Sequence, residues 1–458
     1  MSKLVLRGGM VVTPRGIRRA DVTCVDGAIT SIGEAASDPD AVELDCGGAY
    51  VLPGGVDPHC HLMSGLTDST TAALLGGTTT ALSFSLPEDG ESTLSAFRRA
   101  AAKVDADEAM VDVGLHAMCY RPNVLDRPEI DALALAGADA IKIFLAYPEL
   151  GIMATGDGLH RVMTAAREAG LPVQVHCEDG EIIEALVEQA SGERANFHPE
   201  TFAAVRPPAL EAVAVERALT LAAMTGARLY ITHVSSRAAL RNIERARADG
   251  QVNITAEACL HHVLLDASEY MQPTAGPLLV APPLRPDADV RAVQAAVADG
   301  AITTLGSDHS QSRTPVDERL CACANASYGI AGIGARLPLF LSWGMERGVP
   351  IEHLVRLLST GPADTFGYPA KGRLAPGADA DLVVWDPVGK WVVDERSFPD
   401  KTGMAPYAGR VVTGRVRAVV RNGEVAVKDG ELLVGVARPG RRLVPSHSGA
   451  IEKEARLR

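Results

Sequence analysis

Six side chains in this sequence could together hold metal ions and make water reactive: His59, His61, Lys142, His176, His233 and Asp308. His59-Cys60-His61 closes the run GGVDPHCH, and histidines at i and i+2 of a strand point to one side, so both imidazoles can reach one cation. Four imidazoles and a carboxylate are the nitrogen and oxygen donors a divalent ion such as zinc takes. Lys142 needs a separate argument, because an ammonium group offers no lone pair and repels a cation. A neutral amine or a carbamate formed with CO₂ removes the conflict. The carbamate carries one negative charge on two oxygens and can bridge two cations about 3.5–4 Å apart. The neighbours Ile141, Ile143, Phe144 and Leu145 predict an apolar surround for Lys142, and buried lysines are rare unless paired.

What positions these residues is a series of alternating β and α segments. Strands are predicted at 78–85, 110–118, 140–147, 171–178, 227–236, 252–259 and 301–308, with one more ending at His61. Runs such as TLSAFRRAAAKV and PALEAVAVERALTLAAMT supply helices between them. Apolar strands alternating with helices imply a parallel sheet covered on its outer face, and eight such strands match a (β/α)₈ barrel. In such a barrel chemistry sits at the C-terminal strand ends. Successive intervals from His61 to Lys142, His176, His233 and Asp308 are 81, 34, 57 and 75 residues. These fit repeats of about 31 residues per βα unit, with the excess in loops. The polar residues then fall on strands 1, 4, 5, 6 and 8. His116, on the third strand, fits a core role, and His160, His198, His353 and His447 lie in helical or loop contexts.

The two ends differ from the middle. Residues 3–50 and 372–436 both read as short β runs broken by glycine turns, with Asn422-Gly423 and Asp429-Gly430 as hairpin signals. The predicted organisation is therefore an α/β chain: 1–51 and 366–438 form one small β-sandwich around an inserted barrel of 52–365. A mobile tail is expected over 439–458.

With 458 residues, 47% hydrophobic and 22% charged, the chain is long and apolar enough for a large core. A net charge of −13 argues against nucleic-acid partners or a basic lipid-binding face. No apolar run approaches the ~18 residues of a membrane span, and the first ten residues lack the apolar core of a signal peptide. A cytoplasmic location is expected. The eight cysteines are scattered through apolar stretches and read as buried thiols, and Cys321-Ala-Cys323 is too closely spaced for a zinc knuckle.

The run VLPGGVDPHCH, followed by GGTTT, AIKIFLAY, VHCED, ITHVSS, APPLRP and GSDHS, resembles the cyclic amidohydrolases of the amidohydrolase superfamily. These include the hydantoinases, dihydropyrimidinases, allantoinases and dihydroorotases. The resemblance extends through GRLAPGADADLVVWDP and implies a barrel, a terminal sandwich and two metal ions, usually zinc. It implies that His59, His61 and Asp308 bind the more buried ion, that His176 and His233 bind the other, and that carboxylated Lys142 (N6-carboxylysine) bridges both, with a hydroxide between them. Asp308 would also accept and return the proton. Tyr147, five residues after Lys142, would donate to the oxyanion, and Ala281 would hold the substrate through its main chain.

Within the family, SFSLPEDGES and the Lys142-to-Tyr147 spacing resemble hydantoinases and dihydropyrimidinases. Leu62-Met63 and Leu86-Pro87-Glu88 replace the arginine and asparagine that dihydroorotases use. YGIAGIGARLPL, at 328–339, is closer to allantoinases and dihydroorotases. The loop from Leu62 to Leu75 is short for the family, which implies a more open pocket. The expected function is hydrolysis of the C–N bond of a hydantoin or dihydropyrimidine ring. Allantoinase or another cyclic amide or imide hydrolase is the alternative, and a non-catalytic assembly protein on the same fold is a reading of another class. The family also implies a homotetramer or dimer.

Overall fold

The computed structural model describes residues 2–106, 108–190, 198–272, 275–310, 328–433 and 439–446. Its centre is a ring of parallel strands: Gly55–His61, Thr78–Phe84, Asp112–Met118, Ile141–Phe144, Val173–His176, Leu229–Ile231, Ile254–Cys259 and Thr304–Gly306. Each pairs with the next in chain order. The second and third are buried along their whole length, as expected of strands packed on both faces.

The eighth strand closes the ring in two pieces. Thr304–Gly306 pairs with Glu257–Cys259 on one side, the chain breaks at Ser307-Asp308, and His309–Ser310 then pairs with Cys60–His61 of the first strand. Asp57 ties this join: its Oδ1 accepts from the Ser307 amide at 3.1 Å and the His59 amide at 3.3 Å. The buried Arg336 guanidinium lies 3.6 Å from the other carboxylate oxygen.

Helices cover the ring because their apolar faces repeat every three to four residues. In Arg237–Ala248, Ala239, Leu240, Ile243 and Ala246 are buried, Ser236 caps the first turn through the Ala239 amide, and Arg245 and Arg247 complement the last. The GGTTT motif has a steric cause. A side chain on Gly76 would strike the Gly334 backbone at 2.0 Å, and Gly77 has φ +90°. Two glycines thus let the first helix turn tightly into the second strand.

Strands from both termini share one nine-stranded sheet. Tyr50–Pro53 joins the halves, pairing with Lys3–Thr13 on one side and antiparallel with Leu382–Val392 on the other. Two expectations change. The stretch from Leu62 to Leu75 is mostly the helix Leu66–Leu75, not a loop. Of the anticipated tail from 439, residues 440–443 run along the third barrel strand. The Val113 amide donates to Arg441, and the Leu443 amide to Val113. Arg441 reaches the Asp112 carboxylate at 2.8 Å, a partner that local sequence does not announce. Cys321, Cys323 and His447 lie outside the described residues. The six described cysteines are free and buried.

Candidate metal centre

His59, His61, Lys142, His176, His233 and Asp308 converge at the C-terminal mouth of the barrel. His59 Nε2 and His61 Nε2 stand 3.1 and 3.5 Å from one oxygen of Asp308. Across the mouth, His176 Nδ1 and His233 Nε2 are 3.0 Å apart. The two groups meet where the His59 and His233 rings lie 5.5 Å apart. Lys142 is 1% exposed, donates to Thr232 Oγ1 at 3.0 Å, and lies 5.3 and 5.4 Å from the Phe84 and Phe144 ring centroids. It is close enough that its charge acts on all four histidines.

The donor set fits divalent ions. Two ligands about 2.0–2.1 Å from a tetrahedral cation are separated by about 3.3 Å, close to the spacings seen in both groups. Side chains outside the predicted set orient the imidazoles. Glu257, on the seventh strand, accepts hydrogen bonds from His59 Nδ1 at 2.7 Å, the His233 amide at 2.9 Å and the Tyr230 hydroxyl at 2.6 Å. Glu178 holds His176 Nε2 at 3.0 Å. A carboxylate on the far ring nitrogen fixes which nitrogen faces the ion. Glu257 could have been found in the sequence, since a carboxylate inside VNITAEAC cannot stay buried without partners.

Electrostatics follow from burial and these pairs. Burial pulls the His59 imidazole down, but Glu257 and Asp308 outweigh it and lift it to about 9. Burial would push Asp308 up; the His59 charge and the bonds from both histidines hold it well below the usual carboxylate range. Burial lowers His61, His176 and His233, leaving neutral rings with lone pairs to donate. Desolvation brings Lys142 down to about 8, against the pull of Asp308 and Glu257.

The backbone bends where these residues project. Tyr147, His233 and Asp308 have φ of +66°, +38° and +50°, values rare outside glycine and characteristic of functional sites held by surrounding structure. The Tyr147 ring lies 5.2 Å from that of His176, and burial keeps its phenol protonated, a donor at neutral pH. Ala281 is buried in the apolar cluster that Tyr147 and Tyr328 pack against. His116 lies deeper in the barrel, its Nε2 3.0 Å from the Pro58 carbonyl, and burial lowers it to about 3. His261, His262 and His309 lie outside the set expected from the sequence. His309 bonds Ser69 Oγ at 2.9 Å, tying the eighth strand to the helix Leu66–Leu75.

Comparison with known proteins agrees with this architecture. The amidohydrolase family model matches residues 50–426. A D-hydantoinase of Geobacillus stearothermophilus is 33% identical over 459 residues, covering 96% of this chain and 95% of the relative. An allantoinase of Deinococcus radiodurans is 33% identical over 453 residues, covering 96% and 98%. The crystal structure of a dihydropyrimidinase from Brevibacillus agri superposes with a TM-score of 0.91 at 32% identity, over 97% of this chain and 99% of that one. The chain belongs to the amidohydrolase family, as a (β/α)₈ barrel with a second sheet domain. Its full-length relatives carry the names of enzymes that act on cyclic amides.

Proposed function

We propose that this protein is a binuclear-metal hydrolase that opens the C–N bond of a cyclic amide, a hydantoin or dihydropyrimidine ring. The observation that carries this is the convergence of two imidazole groups, one sharing Asp308, around a buried lysine amine. His59, His61 and Asp308 would hold one ion, His176 and His233 the other, and Lys142, as its carbamate, would bridge them. An amine with a pKa of about 8 is partly uncharged near neutrality, and its nitrogen can bond CO₂ with loss of a proton. Bound divalent ions, probed first as zinc, would lower the pKa of water and polarise the ring carbonyl.

The remaining roles belong to side chains. Asp308, held ionised, accepts the proton of the attacking water and returns it to the leaving nitrogen. Tyr147 donates its hydroxyl to the developing oxyanion. Ala281 contributes main-chain contact to the ring. A hydantoin carrying a ureido group, as in allantoin, is the second reading. It is favoured by YGIAGIGARLPL and by the allantoinases among the relatives. The chain is read as a cytoplasmic homo-oligomer, a tetramer or dimer.

The deciding experiment measures metal content and turnover together. About two ions per chain and hydrolysis of at least one of hydantoin, dihydrouracil, allantoin, dihydroorotate or a cyclic imide are expected. Absence of metal and of turnover would assign the chain to non-catalytic assembly. Lys142→Ala should lose both bound metal and activity, and a fully active variant would refute the bridging role.

A further inference from the structure

Cys259 ends the seventh barrel strand, and His261 stands in the short helix Leu260–Leu264 that follows, at the same mouth as Asp308. A thiol sulfur, an imidazole nitrogen and a carboxylate oxygen from these three residues all lie within 4.8 Å of one another. The proposed binuclear centre uses neither Cys259 nor His261. His261 is fully buried, yet among the described residues neither of its ring nitrogens has a hydrogen-bond partner. A buried imidazole in that state is unfavourable unless something outside the chain completes it. Its ring is held in place against that of His262, 4.2 Å away, and His262 Nε2 bonds the Pro282 carbonyl at 3.1 Å. The Cys259 thiol makes a long contact of 3.5 Å to Glu257 Oε1. Of the three, Asp308 is the one solvent reaches, at 8% exposure.

We propose that Cys259, His261 and Asp308 form a third cation site, distinct from the two ions of the binuclear centre, that takes a thiophilic divalent ion and inhibits the enzyme when filled. The inhibition rests on the reading of the chain as a binuclear hydrolase; the site itself does not. Sulfur, imidazole nitrogen and carboxylate oxygen are three ligands of a tetrahedral zinc-like ion, with water in the fourth position. Bonds of about 2.3 Å to sulfur and 2.0–2.1 Å to nitrogen set those two atoms about 3.5 Å apart, so the side chains draw together as the ion enters. The thiol releases its proton to solvent as the metal–sulfur bond forms. Two positive charges then sit among the new thiolate, Asp308 and Glu257. Magnesium and calcium, which take oxygen ligands, do not fit this set. Asp308 can serve two ions, because His59 and His61 both face its Oδ1 and a carboxylate has about four lone-pair positions. Once shared in this way, Asp308 no longer accepts the proton of the attacking water, and turnover stops without loss of the catalytic ions.

The test adds cadmium to zinc-loaded protein freed of excess metal. Wild type should reach three ions per chain, zinc and cadmium counted together, and develop the ultraviolet charge-transfer band of a thiolate–cadmium bond. Its turnover should fall about 10²-fold or more, the size of a general acid–base contribution, and return when a chelator strips the third ion. Magnesium and calcium should give neither effect. Cys259→Ser, which keeps a donor towards Glu257, should abolish the band, and His261→Gln should lose the third ion. Both variants should keep two ions and normal turnover without added cadmium. Should His261→Gln fail to fold, Cys259→Ser and the wild-type band carry the test. An ion count that stops at two, a missing band, or a band that survives Cys259→Ser overturns the site. Full turnover with the third ion bound overturns the inhibition. A protein that turns over no ring would strike the parent reading, and the band with its loss in Cys259→Ser would still decide whether the third site exists.

Discussion

In the proposed reaction, Tyr147 and Glu257 divide the work of single side chains at the mouth of the barrel. Tyr147 carries a protonated hydroxyl beside the His176 ring, so Tyr147→Phe should lower kcat by about 10²–10³ while KM changes little. Steady-state kinetics on the best ring would check this. Glu257 touches neither proposed substrate nor ion, yet it orients His59 and anchors the His233 amide. Glu257→Gln should weaken metal affinity by about 10–100-fold, measured by competition with a chelator, with the circular dichroism spectrum retained. An unchanged affinity would show that the His59 ring holds its orientation without the charge.

Among the strands, the first and eighth matter most, because Asp308 sits where the eighth breaks. A regular strand would aim Asp308 with its neighbours. The break, with φ of +50°, turns it towards His59 and His61. Asp57 holds that break through the Ser307 amide and is itself faced by buried Arg336. Removing one member of a buried charged pair costs about 3–5 kcal/mol. Asp57→Ala should therefore lower the melting temperature and, at temperatures where the variant stays folded, reduce kcat/KM as Asp308 loses its position. A variant that melts lower but turns over normally would separate closure of the ring from placement of the carboxylate. The histidine pattern was legible at this level because strand periodicity is local. The split of the eighth strand was not, since the partner that stabilises it, Asp57, lies 250 residues away in the chain.

Across the molecule, one charged knot, buried at Lys371, Asp112 and Asp381 and exposed at Arg441, joins barrel, terminal sheet and C-terminal segment. Lys371 lies 2.6 Å from Asp112, 2.6 Å from Asp381 and 2.9 Å from Asp379, while Arg441 reaches Asp112 and Asp379. Burial would raise the Asp112 carboxyl, but the Lys371 charge and the Arg441 bonds hold it below its ordinary range. Asp112 therefore contributes stability above the unfolded carboxylate value of about 3.9, and this is lost as pH falls through its lower folded value. The gap in melting temperature between wild type and Asp112→Asn should be wide at pH 6, begin to shrink near pH 4 and close only as pH falls through the lower folded value. Burial lowers the Lys371 ammonium, but its three carboxylates raise it more. Its contribution is complete below the unfolded lysine value, about 10.4. Lys371→Met, which leaves the carboxylates uncompensated, should be the more damaging change at pH 6, and a melting curve like that of wild type would contradict the knot.

Residue type and periodicity were enough to indicate eight barrel strands, a sheet made from both ends, and a row of imidazoles, because each depends on neighbours in the chain. Ligand chemistry is likewise a property of the side chain, so His59, His61, His176, His233 and Asp308 could be singled out before any fold was known. Orientation and surroundings depended on contacts between distant segments: Glu257 beneath His59, the approach of His261 to Asp308, and the docking of Arg441 on Asp112. Such contacts leave no periodic trace. They arise when burial strips water from a polar group and the nearest suitable partner in space, however remote in sequence, must replace it.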